Sequence, residues 1–212
     1  MLSSLPLVSS SGRDYLIAVK SCRDMKSFES ILWRGLVFPG HEVCRLFSQN
    51  SQWHVEGTAV FSHHQQPCQL DYQIVCDAAW RTLSAEVEGW LSDSPVDLHI
   101  NTDQDQGWWL NRVEQSPLKG CIDLDLNFSP ATNLLPIRRL NLSIGETAEI
   151  RSAWLRFPSF KLEPLSQRYT RLDQDKYRYE SAGGQFKADL TVNPSGLVID
   201  YPGIWRSETD SK

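Results

Sequence analysis

The sequence predicts a mainly β protein: a barrel, roll or sandwich of many short antiparallel strands with one short helix. Three observations carry this. Apolar and polar residues alternate with period two from about Ile31 onward. Clusters of turn-forming residues separate the alternating runs at short intervals. A single stretch, Ser129 to Leu140, abandons that period for helical spacing.

Taken in order, residues 1–30 read as a flexible N-terminal extension. Ser9, Ser10, Ser11 and Gly12 resemble a linker, and Met25 is an alternative start. The patterned domain is expected over 31–206, with 207–212 as a tail. Tyr72–Val75 and Thr82–Trp90 alternate in part, Ile122–Phe128 and Phe186–Val192 cleanly, and Glu149–Phe157 at its start. Such alternation marks strands with one face buried and one wet. Asp103–Gly107, Ser181–Gly184 and Asn193–Gly196 carry the Asp, Asn, Ser, Pro and Gly of tight turns. In the exceptional stretch, Ser129 and Pro130 suit a helix start, and Leu134, Ile137 and Leu140 form an apolar stripe. A helix is expected over Leu134–Leu140, the only one in the chain.

Composition narrows the class. A chain of 212 residues and 24.2 kDa exposes roughly 10,000 Å² when folded against roughly 35,000 Å² extended, enough for a true core. Hydrophobic residues at 41% and charged residues at 22% exclude wholesale disorder. A net charge of -5, with no basic block, argues against nucleic acid as a partner. No apolar run is long enough for a membrane helix, and no basic segment precedes a continuous apolar stretch, so a cytoplasmic location without a secretory signal is expected. Five cysteines without C-x-x-C spacing are expected to be reduced, partly buried thiols.

Most catalytic signatures are missing: there is no nucleophile elbow, phosphate loop, dinucleotide fingerprint or H-E-x-x-H pair. No catalytic residue is assigned, and no cofactor or metal is expected. His63 and His64 would point to opposite faces of a strand. Asp123, Asp125 and Asn127 share one strand face, but a Ca²⁺ loop fails, with Phe128 where Gly and Leu134 where Glu would be needed. Two readings stay open. The carboxylates face water or pair with Arg138 and Arg139, or they line a concave interior and hold a polar ligand head. The eight Trp and six Tyr are chiefly core residues, although their amphipathic rings also suit sugar faces. Trp108 and Trp109 cannot share a strand face, whereas Tyr177 and Tyr179 do.

Several strings, in order, resemble one family. They are Trp33-Arg34-Gly35 with Gly40-His41-Glu42, Tyr72 to Asp77 with Trp80, and Gly120 to Leu126. Ser129-Pro130 and Asn133 to Leu140 follow, then Gln167-Arg168-Tyr169, Tyr177-Arg178-Tyr179 and Gly196 to Gly203. Over roughly Ile31 to Arg206 the chain resembles the glycolipid-binding family of bacterial proteins, long classed as a domain of unknown function. The resemblance implies an open β-roll wrapped around a single short helix, shaped like carriers of bacterial lipoproteins. The N-terminal extension departs from the family pattern. No catalytic residues come with the resemblance.

The leading functional expectation is a soluble, non-catalytic binding or carrier protein for a glycolipid or similar amphiphile, in glycolipid metabolism or transport. Brief contact with a membrane surface is compatible with it. Asp123, Asp125, Arg138 and Arg139 are the candidate head-binding residues, with Trp80, Tyr169 and Tyr179 as stacking surfaces. One alternative is an enzyme acting on a glycolipid through the Asp123/Asp125 pair as acid and base. Another is a protein-interaction module with exposed aromatics.

Overall fold

Period-two alternation becomes fifteen strands in the computed structural model, which describes residues 26–209. The first run is β1 (Lys26–Gly35), β2 (Gly40–Gln49), β3 (Gln52–His63), β4 (Gln66–Cys76), β5 (Thr82–Leu91), β6 (Ser94–Thr102), β7 (Trp108–Leu110) and β8 (Val113–Glu114). A short parallel strand, β9 (Asp123–Leu126), leads into a 3-10 turn over Pro130–Asn133 and the helix α1 (Leu134–Leu140). The second run is β10 (Thr147–Arg156), β11 (Lys161–Arg171), β12 (Lys176–Ser181), β13 (Phe186–Val192), β14 (Val198–Tyr201) and β15 (Trp205–Ser207). Strand β1 begins at Lys26, within the stretch read as extension; the rest of that stretch, with its serine tract and Met25, lies outside the described residues, as does Cys22.

All fifteen strands form one sheet, ordered β8 to β1, then β15 down to β9, and open between β8 and β9. Each run is an antiparallel meander, and the two join where Trp33 faces Ser207 and Gly35 faces Trp205. Two-residue turns make the tight connections: Asn50-Ser51, His64-Gln65 and Asn111-Arg112 all have positive φ at both positions, as the twist of a hairpin favours. The sheet curls until its β9 edge reaches the start of β5. There the Thr82 N–H donates to the Ile122 carbonyl at 3.3 Å and the Leu124 N–H to Thr82 Oγ1 at 3.0 Å. The expected open β-roll is therefore the observed fold.

The helix lies where the resemblance implied, against the inner wall. Seven residues are too few for a helix to stand alone in water. Leu134, Leu135, Pro136 and Ile137 are all buried, and each buried Leu or Ile contributes roughly 1.5–3 kcal/mol. Ser129 starts the preceding turn by accepting from the Ala131 N–H, with Pro130 at the first position. Asn141, at φ 44°, ends α1 and donates its N–H to the Ile137 carbonyl. Strand β9 is thus covered on both faces: Asp123, Leu124 and Leu126 are all buried.

The expected turns are present. Asp103 Oδ1 accepts from the Asp105 and Gly107 N–H groups, and Asn193 Oδ1 from Leu197. Trp108 is buried while Trp109 is half-buried, and Tyr177 and Tyr179 are both buried. Among the described residues, Cys44, Cys68, Cys76 and Cys121 are free and buried, and no helix is long and apolar enough to cross a membrane.

Candidate ligand-binding site

Strand β9 pairs with β10, and β10 with β11, so residues of one phase share a wall. Asp123 and Asp125 project from that wall with Ser152, Trp154, Leu165, Gln167 and Tyr169. Their surroundings differ. Asp123 is fully buried and both its oxygens are taken by Arg139 of α1, Nε at 2.8 Å and Nη2 at 2.6 Å. This fork-on-fork pairing is the strong form of a charge-assisted bond. Burial works against the Arg139 charge, but the Asp123 carboxylate outweighs it and holds the guanidinium's pKa up.

Asp125 has no cation beside it. Gln167 Nε2 donates to its Oδ2 at 2.6 Å, and Ser152 Oγ donates in turn to Gln167 Oε1 at 2.9 Å, which fixes the amide. Burial pushes the Asp125 carboxyl up to about 6, against the Gln167 bond. Tyr169 lies deeper, fully buried; its hydroxyl accepts from Asn133 Nδ2 at 3.3 Å and its ring contacts Tyr179 at 5.2 Å.

A cavity of about 410 Å³ opens beside this wall. Its lining is chiefly apolar: Phe38, Phe128, Trp154, Leu165, Phe186 and Trp205 contribute, with Tyr179 and Tyr201. Asp125, Asn127, Ser129 and Asn133 are its polar points. An apolar chamber with a few convergent polar groups, within the roughly 300–1,000 Å³ of small-molecule sites, is the usual form of a ligand pocket. Beyond it lies a cleft of about 620 Å³ where Ile122, Leu140 and Ile150 share the lining with Arg139, Glu149, Arg151, Arg168 and Glu180. Ser181 borders both, and the Gln167–Asp125 bond runs from one to the other.

Sequence reasoning missed a second polar cluster at the cavity wall. Glu42 of β2 is fully buried, and its Oε1 accepts from Tyr72 at 2.6 Å and from Ser129 at 2.5 Å, while Oε2 has no partner. Tyr72 of β4 reaches β2 by crossing β3 at Gly57, where a Cβ would lie 2.3 Å from the Tyr72 hydroxyl. Burial pushes the Glu42 carboxyl up to about 8, against the bonds from Ser129 and Tyr72. A signal was present: Glu42 is in phase with buried Cys44 and Leu46, and Val43 faces outward.

The seven residues grouped from sequence do not form one site. Asp123, Asp125, Arg139, Tyr169 and Tyr179 gather on the wall just described, but Arg138 and Trp80 lie at another place along α1, bordering a separate pocket with Trp53 and Glu29. Successive helical residues point about 100° apart, so Arg138 and Arg139 cannot serve one spot. The Trp80 ring is also occupied. Trp53 stacks on it at 4.5 Å, the Arg138 guanidinium sits 5.4 Å from its centre, and 6% of the residue is exposed. Tyr169 is walled off, which leaves Tyr179 as the aromatic of the group that borders the cavity.

Comparisons with known proteins agree with this architecture. A crystal structure of a DUF1089 family protein from Pseudomonas aeruginosa superposes with a TM-score of 0.67 and 30% sequence identity, covering 97% of this chain and 98% of that one. No curated protein matches the chain. The family model described as "Putative glycolipid-binding" matches residues 30–207, and the chain belongs to that family.

Proposed function

We propose that the protein binds a glycolipid or similar amphiphile without transforming it, acting as a carrier in glycolipid metabolism or transport. The cavity beside Asp125 carries this reading: it offers apolar volume at one end and polar groups at the other. Burying an acyl chain contributes about 0.8 kcal/mol per methylene, so about eight methylenes supply about 6 kcal/mol. The acid–base alternative loses its pair, because Arg139 occupies both oxygens of Asp123. The interaction-module alternative requires a flat apolar patch instead of a chamber. A cytoplasmic setting accords with the buried free thiols among the described residues.

Native mass spectrometry of protein purified from its own host, with identification of whatever is released, tests the reading. A stoichiometric amphiphile is expected. Leu165→Trp, which fills the chamber, is expected to lower lipid affinity at least tenfold while the circular dichroism spectrum is kept. A clean apo mass, together with no thermal shift from any lipid, would overturn the carrier.

A further inference from the structure

Taking the amphiphile cavity as its basis, we infer that the head group accepted here is uncharged and rich in hydroxyls. It sits where the cavity meets the cleft, with Asp125 as its acceptor, and phosphate-bearing heads are refused.

The wall groups decide this. Asp125 Oδ2 is engaged by Gln167, whereas Oδ1 makes no hydrogen bond among the described residues and the side chain borders the cavity. An ionised carboxylate is acceptor-only. It rewards a donor such as a sugar hydroxyl and repels a phosphate, which brings like charge and no donor. Phosphate sites ordinarily supply free guanidinium forks. The guanidiniums of the cleft are already engaged. Arg139 is closed onto Asp123, and Arg168 lies 2.6 Å from Glu149 and 3.8 Å from Glu180. Arg151 donates to the carbonyls of Pro117 and Lys119, both at 3.4 Å. What remains is Ser166 in the cleft and Ser181, which borders both spaces; a hydroxyl both donates and accepts. With Asp123, Asp125, Glu149 and Glu180 against Arg139, Arg151 and Arg168, the surface carries one carboxylate in excess and suits hydroxyls.

The test is calorimetric titration of the full chain at pH 8 with three probes of equal tail length, each below its micelle or solubility limit: dodecyl β-glucoside, dodecyl phosphate and dodecanol. The glucoside is expected to bind at least tenfold tighter than the phosphate. Asp125→Asn, nearly isosteric, is expected to narrow that gap at least fivefold, chiefly by improving the phosphate. Dodecyl phosphate binding as tightly as the glucoside would overturn the head assignment while leaving the tail cavity standing. An unchanged gap in Asp125→Asn would remove Asp125 from it. If none of the three binds, the amphiphile reading itself fails, and the head assignment with it. The wild-type comparison decides the charge preference even if the variant fails to fold.

Discussion

Asp123 and Asp125 stand two residues apart on one wall of the roll, but one neighbourhood is closed and the other open. Around Asp123 every carboxylate oxygen meets a guanidinium nitrogen, and the carboxylate is fully buried beneath Arg139 of α1. Around Asp125 a single amide holds one oxygen, the other makes no hydrogen bond among the described residues, and the side chain borders a chamber. Residue type is the same; the number of partners already supplied is not. Saturated polar groups serve the fold, and a group left a partner short beside a chamber can serve a ligand. The comparison therefore separates substitutions that cost stability from those that cost binding.

The largest effect is expected on the closed side. Arg139→Ala leaves the Asp123 carboxylate buried and unpaired, which costs about 3–5 kcal/mol. Guanidinium chloride denaturation should show it as a lower midpoint. Replacing both partners together, Asp123→Leu with Arg139→Met, should recover most of that loss, since no orphan charge remains. If Arg139→Ala kept full stability and lost only ligand affinity, the two neighbourhoods would have been sorted wrongly.

Next comes Glu42, a closed cluster with one oxygen left over. Burial raises its carboxyl from 4.5 to about 8, so the folded protein keeps a proton that the unfolded chain has released. Folding takes up that proton throughout this window, and stability falls as pH rises from about 4.5 to about 8. The slope approaches about 1.4 kcal/mol per pH unit, and the whole loss is a few kcal/mol. Asp125 titrates with the same sign toward about 6, so the wild-type curve mixes both. Glu42→Gln removes only the first contribution. Urea midpoints at pH 5 and pH 8 should therefore converge in Glu42→Gln relative to wild type. Equal pH sensitivity in the two proteins would place the effect elsewhere.

These two clusters also mark how far the residues could be read without the fold. Strand alternation, the turns at Asp103 and Asn193, and the helix Leu134–Leu140 follow from local chemistry, and all are present. The shared face of Asp123 and Asp125 follows from the strand period and is also observed. Which carboxylate closes does not follow. That depends on how α1 is rotated against β9, set by packing against strands distant in sequence. Grouping Arg138 with Arg139 treated neighbours in sequence as neighbours in space, which a helix prevents. Glu42 was hidden by the opposite error. A charged residue between His41 and Val43 is read as outward unless the phase of Cys44 and Leu46 is followed.

On the open side the expected signs of the stability and binding effects part company. Asp125→Asn removes a buried charge held by one bond, so at pH 8 it should gain about 1–2 kcal/mol of stability. The same change should lower affinity for the glucoside probe, because the acceptor is weaker. A thermal melt and a titration on one sample measure both. Loss of stability would make Asp125 a structural residue like Asp123, and the contrast between them would collapse.

The smallest effect is expected at Arg138. Its exposed guanidinium lies 5.4 Å from the centre of the Trp80 ring, and Trp80 is already stacked on Trp53. A cation over an aromatic face near solvent is worth about 0.5–1 kcal/mol. Arg138→Gln should therefore lower the denaturation midpoint by that small amount and leave amphiphile affinity unchanged. Both halves matter. Unchanged affinity separates the tryptophan pocket from the cavity, as the geometry of α1 does. Lost affinity would mean that the ligand reaches past the helix to Trp80, and that the two guanidiniums act together after all.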